Sequence, residues 1–474
     1  GRHDCLGRRC PAVRQCYYEQ AVLAAEEADL VVLNHSLLAF HLAIDPPFLT
    51  PRDVVVVDEA HELPAYVTGA LRVSLDYNAI PGLINEPVLE KHAQPATRAR
   101  AVQANHALFG ALAEQGQVWE SRWAVAGELQ DALALADHLA ELRRQLLRQY
   151  PPSPGGDDNE QNAHYRRIME WVDGVTTAVR QLAKDPPEGS VRYGEGASSR
   201  ERASLHLEPL DVAGFLAEKL FETTPTVICT SATLTTHGRF NYFAGQVGAP
   251  PECLTRVIPS PFDFASQMLI YTPRGLEPRY DAEEQGYVEN LTDEVERLVR
   301  ASRGRAFVLC TSTRRMQALY EALDGRLPYQ CLRQGLMSRG ALLELFRDSG
   351  NAVLFGTRSF WQGVDVPGEA LSLVILDKLP FAPPSDPVIA KRAAQIEARG
   401  GNPFLELALP DAILILKQGT GRLIRTETDR GVIALLDSRL LTRRYGRQIL
   451  ASLPPARHTR LFSDVVKFFP APEG

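Results

Sequence analysis

Four short segments carry residues whose types and spacing could do chemistry. The first is Val54-Val55-Val56-Val57-Asp58-Glu59-Ala60-His61, an apolar β-branched run that ends in two adjacent carboxylates. Open α/β sheets place ligands just beyond the carboxyl ends of their strands. There Asp58 can hold Mg²⁺, directly or through water, while Glu59 orients and deprotonates a water that attacks a nucleotide phosphate. A plainer reading stays open, because carboxylates at a helix start also suit its dipole. The second segment, Cys229-Thr230-Ser231-Ala232-Thr233-Leu234, sets small hydroxyl residues after a strand, where they can bond across a cleft or simply cap a helix. In the third, Phe355 to Asp365, a strand runs into a loop with Gly356, Thr357, Ser359 and Gly363. Such a loop can offer N–H and O–H groups to phosphates, and Phe360 and Trp361 add ring faces for stacking or packing, core packing being the plainer role for Trp361. The fourth, Gln418-Gly419-Thr420-Gly421-Arg422-Leu423-Ile424-Arg425, sets two arginines three apart on one helical face. They are either a solvated face or arginines that reach a γ-phosphate from a second domain, an effect on the order of 10³ to 10⁵ in rate.

These residues need strands to hold them. Leu30-Val31-Val32-Leu33 and Val54 to Val57 read as strands buried on both faces of a parallel sheet, and Tyr17 to Ala28 as a short helix before them. Similar runs recur at Val227-Ile228-Cys229, Ala306 to Leu309, Ala352 to Phe355, Leu373 to Leu376 and Val432 to Leu436. Amphipathic segments such as Tyr287 to Ala301 and Arg314 to Leu323 separate them, so the fold class is α/β, with parallel sheets covered by helices. From about Leu75 to Ser204 the composition shifts to Ala, Leu, Glu, Gln and Arg at helical spacing, broken at Pro151 to Asp158 and ending in a polar loop over Pro186 to Arg200. That stretch reads as a helical insertion into an α/β domain. Pro259 to Arg279 reads as a linker. The resulting divisions are 1–28, 29–74, an insertion over 75–204, 205–272 and 273–474.

The chain has 474 residues, with 51 Lys+Arg against 58 Asp+Glu, a net charge of −7 and 45% hydrophobic residues. These values exclude collagen-like and wholly disordered classes. No apolar stretch approaches the ~18 residues of a membrane helix, so no membrane partner is expected. Seven cysteines in so long a chain, without a signal-peptide pattern, point to a reducing cytoplasm rather than a disulfide framework. The overall acidity gives no nucleic-acid signal. Locally the balance reverses: between Ala301 and Gly350 there are eight Arg against four acids, including Thr311-Ser312-Thr313-Arg314-Arg315 at a strand end. Hydroxyls and arginines there can hold the phosphates of a single strand or form a solubilising face.

In chain order, Asp58-Glu59-Ala60-His61, Ser231-Ala232-Thr233, Gly356-Thr357 through Trp361-Gln362-Gly363 to Asp365, and Gln418 through Gly421-Arg422 to Arg425 resemble motifs II, III, V and VI of superfamily 2 helicases. The wording of these motifs, the helical insertion, Leu379-Pro380-Phe381-Ala382-Pro383-Pro384 and Gly400-Gly401-Asn402-Pro403-Phe404 resemble the XPD-like iron–sulfur helicases, in their bacterial DinG/YoaA branch. The resemblance implies two RecA-like domains, the first incomplete, with an Arch-like insertion and the end of an iron–sulfur domain at 1–28. It implies nucleotide contacts by Asp58, Glu59, His61, Gly363, Asp365, Gln418, Arg422 and Arg425, with Asp58 on Mg²⁺ and Gln418 and both arginines also catalytic. DNA contacts would fall to Ser312, Arg314, Thr357, Ser359 and Phe360.

Cys5, Cys10 and Cys16 match the last three ligands of the family's [4Fe–4S] cluster, which normally takes four thiolates. A zinc site with His3 or His35 is the competing metal reading. Cys229, Cys253, Cys310 and Cys331 read as core residues. The implied activity is ATP-dependent, 5′→3′ movement along single-stranded DNA with unwinding at single/double-strand junctions. It would be that of a monomer in the bacterial nucleoid, met by replication or repair proteins. No Gly-Lys-Ser or Gly-Lys-Thr phosphate loop occurs in the sequence, and the chain opens without Met. The expectation is the C-terminal part of a longer helicase, inactive alone. The alternative is a motor-dead module that binds nucleic acid or a partner. A nuclease-linked homologue is a third class, for which the sequence shows no carboxylate-rich exonuclease pattern.

Overall fold

The computed structural model describes residues 10, 13–116, 122–149, 160–196, 199–236, 238–278, 284–357, 360, 368, 370–421 and 423–469. The chain forms two compact units. The first comprises Gly1–Thr230, Ala244–Pro251 and Pro383–Gly400; the second comprises Ser231–Phe243, Glu252–Ala382 and Gly401–Gly474. The strands of the first unit are β1 (Val54–Val57), β2 (Val73–Asp76), β3 (Arg122–Ala124), β4 (Ser190–Glu195), β5 (Ser204–Pro209) and β6 (Thr226–Cys229). Those of the second are β7 (Met268–Tyr271), β8 (Ala306–Cys310), β9 (Cys331–Arg333), β10 (Val353–Thr357), β11 (Leu373–Leu376), β12 (Gly431–Leu435) and β13 (Arg457–Thr459).

The second unit is built on a seven-stranded sheet in the order β13-β7-β12-β11-β8-β10-β9, parallel at every pairing. Side chains alternate across a strand, and here both faces are apolar. Phe307 and Leu309 of β8 enter one core with Val374 and Leu376 of β11, while Val308 and Cys310 enter the opposite core with Leu373 and Ile375. Helices cover both sides, among them Glu284–Ser302, Thr313–Leu323 and Leu409–Thr420. The stretch expected as a linker, Pro259 to Arg279, instead contains β7, whose Met-Leu-Ile-Tyr run is wholly buried within the sheet. Its four residues are too few to stand out beside the prolines and glycine that flank them.

In the first unit β1 and β6 pair in parallel, with Val54 opposite Thr226 and Val57 opposite Cys229. This two-stranded sheet overturns the expectation of strands buried on both faces. Val54 is 52% exposed and Val56 61%: they share the face of β1 that is open to solvent, while Val57 on the other face is buried. Leu30 to Leu33 are not a strand, and Leu30 and Val32 are exposed. Helix Tyr17–Glu27 forms as expected.

The insertion is less purely helical than its composition suggests. Helices Pro95–Gln115, Gln130–Gln149 and Glu160–Ala183 pack on an antiparallel sheet in the order β2-β5-β4-β3. Strand β4 occupies what the sequence presents as a polar loop, and its Arg192 explains why a charged segment can be central. Only 2% exposed, Arg192 donates to the carbonyl oxygens of Val125, Leu182, Lys184 and Gly127, so the end of one helix and the turn after β3 supply all its partners. Gly194 is needed for a close approach: a Cβ there would lie 2.4 Å from the Trp123 ring. Segment Pro383–Gly400 returns to the first unit and lays helix Pro387–Ala398 against this sheet. There Val388 packs with Val191, Tyr193 and Leu210, and Arg392 donates to the Leu210 carbonyl at 2.8 Å.

Candidate nucleotide site and nucleic-acid interface

The parallel register that sets Val57 beside Cys229 also sets the next residues, Asp58 and Thr230, side by side beyond the strand ends. The Thr230 N–H donates to the Val57 carbonyl (2.9 Å), the Ala60 N–H to the Thr230 carbonyl (2.9 Å), and the Thr230 hydroxyl to Asp58 Oδ1 (2.8 Å). Thr230, rather than the serine and threonine after it, is therefore the residue that orients the metal-type carboxylate. The parallel pairing of the two strands was the signal that could have found it. Ser231 and Thr233 bond to each other at 3.2 Å, and no helix begins at them. The chain passes from the first unit to the second between Thr230 and Ser231. Beyond that point Thr235 accepts from Lys417 Nζ through its carbonyl at 2.8 Å.

Glu59 lies in the left-handed region, with φ 47° and ψ 42°. For a residue with a Cβ this costs about 1–2 kcal/mol, and such strain persists where the surroundings impose it, often at functional sites. Here the hydrogen bonds on either side, at Val57 and Ala60, hold the turn. His61, largely buried, sets Nδ1 3.4 Å from Glu59 Oε2 and Nε2 3.8 Å from Glu62 Oε1. Asp58 and Glu59 are exposed to solvent. No group of three or more potential metal ligands occurs among the described residues. Two solvent-facing carboxylates are the donor set that a hydrated ion such as Mg²⁺ can use, since it keeps most of its waters and takes one or two carboxylates plus substrate phosphates.

In the second unit Gln418 is half-buried on the last turn of helix Leu409–Thr420. The spacing suggested a helical face for Arg425, but Arg425 lies beyond the helix. The helix ends at Thr420, and the N–H groups of Arg425 and Thr426 both bond Asp429 Oδ2, at 2.8 and 2.9 Å, in a separate turn. Arg422, Ser359, Trp361, Gly363 and Asp365 lie outside the described residues, as does Cys5.

Ser312, Arg314 and Thr357, three of the expected DNA-contacting residues, sit at or just beyond the carboxyl ends of the sheet's strands. Ser312 accepts from the Arg315 N–H at 3.3 Å, capping helix Thr313–Leu323, and Arg314 is exposed. Thr357 ends β10, and its N–H and hydroxyl both donate to Gln334 Oε1, at 2.8 and 2.9 Å. Phe360 requires a correction: it is 3% exposed and packs in the core beside Gly356, which leaves no ring face for a base. Two buried carboxylates that the sequence did not flag organise this edge. Asp377 accepts from the Thr311 N–H (3.0 Å) and hydroxyl (3.2 Å), and burial pushes its carboxyl up to about 6 despite Lys378, Thr311 and Arg315. Asp437 accepts from the Leu379 N–H at 2.9 Å and pairs with Arg439.

Cys10 and Cys16 are half-buried thiols in no disulfide, on a segment curled by Val13 N–H to Cys10 O (2.9 Å) and Cys16 N–H to Val13 O (3.1 Å). As free thiols they are chemically able to ligate a metal as thiolates, the donor type an iron–sulfur cluster requires. His35 stacks on Tyr66 at 5.3 Å. Of the four cysteines expected in the core, Cys310 and Cys331 are buried, Cys229 is half-buried and Cys253 is exposed. No helix among the described residues is long and apolar enough to cross a membrane.

Residues 295–456 match the family model described as the helicase C-terminal domain. Over 99% of its length the chain is 34% identical to the ATP-dependent DNA helicase YoaA of Escherichia coli K12, covering 73% of that protein. It is 37% identical to the ATP-dependent helicase DinG of Mycobacterium tuberculosis H37Rv, over 95% of this chain and 68% of that one. A solved XPD helicase superposes with a TM-score of 0.62 at 16% identity, over 94% of this chain and 76% of that one, and so shares the fold. The chain belongs to the YoaA/DinG family of ATP-dependent helicases.

Proposed function

We propose that the chain carries the hydrolytic carboxylates and strand-gripping surface of a motor that uses ATP to move 5′→3′ along single-stranded DNA and unwind duplex at junctions, in repair or replication. The observation that supports this most is the Thr230 hydroxyl on Asp58 beside a left-handed Glu59 at the carboxyl end of β1. Asp58 would hold Mg²⁺. Glu59, braced by His61, would orient and deprotonate the attacking water, and the resemblance assigns nucleotide contacts to Gln418, Arg422 and Arg425, with Gly363 and Asp365. When bound, the metal neutralises the developing charge on the phosphates. Cys5, Cys10 and Cys16 would be three ligands of a [4Fe–4S] cluster. Iron content and visible absorbance test that assignment, and an iron-free, colourless sample would sink it.

The sequence contains no phosphate loop to cradle the β- and γ-phosphates, so the chain by itself binds single-stranded DNA without turning ATP over. Steady-state ATP hydrolysis with oligonucleotide present is the direct test. The expected result is a rate at background; a rate above it that Glu59→Gln abolishes would overturn the inactivity and keep Glu59 in its role.

A further inference from the structure

The loop that leaves β8 is held from two sides by one residue. Asp377 follows β11, which pairs with β8 so that Leu376 lies opposite Leu309. Its carboxylate takes both donors of Thr311, the N–H at Oδ1 (3.0 Å) and the hydroxyl at Oδ2 (3.2 Å). Its carbonyl accepts from the Tyr287 hydroxyl at 3.3 Å, and the Arg315 guanidinium lies over the Tyr287 ring, 5.1 Å from the centroid. Thr311 is thereby fixed directly and Arg315 through Tyr287. Between these two holds stand Ser312, which caps helix Thr313–Leu323, and Arg314, which is exposed. Arg315 is only 8% exposed, so neighbouring arginines on the first helical turn face opposite ways, one inward to the hold and one out to solvent.

A carboxylate is a costly choice for this place. Asp377 is 1% exposed, and burial raises its carboxyl to about 6 although Lys378, Thr311 and Arg315 all pull it down. At neutral pH an uncharged residue of the same size would avoid that desolvation. What the carboxylate alone supplies is two acceptors side by side, where an amide offers one acceptor and one donor. The N–H and hydroxyl of Thr311 need that pair, and together the two bonds fix its backbone and its side-chain rotamer where the chain enters the loop. Charges kept against burial cluster at functional sites.

We propose that Asp377 is a positioning residue for the single-strand grip: by locking Thr311 it aims Arg314 at a phosphate of the bound strand. This role rests on the reading of that loop as a single-strand contact. Asp377 itself is sealed from solvent and touches no DNA; it acts through Thr311.

Anisotropy of a fluorescein-labelled oligothymidylate, titrated with the chain over a series of salt concentrations at neutral pH, tests it, with circular dichroism to check that each variant is folded. Asp377→Ala removes both acceptors. It should weaken binding roughly tenfold and shrink the logarithmic salt slope by about 0.7, the share of one phosphate contact on single strands. Asp377→Asn returns an acceptor for the Thr311 N–H and should recover part of both losses. The deciding measurement is a double-mutant cycle. Arg314→Gln should lower the slope by about 0.7 in the wild-type background and have no further effect beside Asp377→Ala, because the contact it deletes is already gone. Should Asp377→Ala fail to fold, the same cycle runs on Thr311→Val, which keeps the shape of the side chain and loses its bond to Asp377. If the wild-type chain binds but the two losses simply add, or either single variant binds like wild type, the positioning role is overturned and the single-strand reading survives. If the folded wild-type chain does not bind the oligonucleotide, that reading falls and the role of Asp377 falls with it.

Discussion

Strands β1 and β8 present nearly the same local sequence problem, a short apolar run that ends in functional polar residues, and the structure solves it in two ways. Strand β8 lies between β11 and β10, with every residue buried and an apolar core on each face. Among the described residues strand β1 pairs only with β6, and Val54 and Val56 are largely exposed. The polar residues that follow differ accordingly. After β8 a buried carboxylate, Asp377, grips Thr311; after β1 the carboxylates Asp58 and Glu59 face solvent, held by one threonine and a strained turn. In the roles proposed above, a grip on nucleic acid would need a fixed scaffold, whereas carboxylates taking a hydrated metal and a water would need access.

The sharpest way to break this comparison is to delete side chains in the two strands. Phe307 is buried in β8 and packs against Phe346, the ring centroids 4.7 Å apart and the planes tilted by 48°. Phe307→Ala should cost about 3–5 kcal/mol through lost burial and the cavity left behind. Val56→Ala, at an exposed site in β1, should stay within about 0.5 kcal/mol. Urea unfolding, with hydrogen exchange to assign the transition to β8 or β1, measures both. Equal costs would mean that β1 is as well supported as β8.

The parts of the fold legible in the sequence are those with a long enough local pattern. β8, β10, β11 and β12 and their helices appear as runs and periodicities, because burial on both faces leaves an unbroken apolar word. β7 and β9 are short words among Pro, Gly and Arg, and only pairing with neighbours far along the chain makes them strands. Arg192 inverts the usual rule: a charged residue is buried because carbonyls from 8 to 67 residues away converge on it. At the site, Asp58 and Glu59 can be read from their place after a strand. Thr230, Asp377 and Asp437 cannot, since each acts through a residue 58 to 172 positions distant.

A second test exploits the buried carboxylate after β11. Its folded value, about 6, lies above the ordinary 3.8, so the native state holds the proton more tightly than the unfolded chain does. Stability from this group is therefore present below about pH 4 and lost as pH rises toward 6, by about 3 kcal/mol if the whole shift is expressed. Asp377→Asn keeps an oxygen for the Thr311 N–H and carries no charge. Its urea-derived stability should be flatter than wild type between pH 4 and 7. A wild-type slope that survives the substitution would assign the pH dependence to other groups.

The smallest effect tests whether the strain at Glu59 serves chemistry rather than folding. Glycine adopts φ near 47° without the Cβ clash, so Glu59→Gly relieves about 1–2 kcal/mol in the folded state while adding about 0.5–1 kcal/mol of chain entropy to the unfolded one. The net should be a gain of between about 0 and about 1.5 kcal/mol, read as an unchanged or slightly raised Tm. Glu59→Gln keeps the Cβ and should leave Tm unchanged. A protein under selection for stability alone would have taken the glycine, and the carboxylate at a position that penalises it is then the mark of a residue kept for what its side chain does. A fall in Tm for Glu59→Gly would mean instead that the Glu59 carboxylate stabilises the turn through His61, and the contrast between β1 and β8 would lose its functional half.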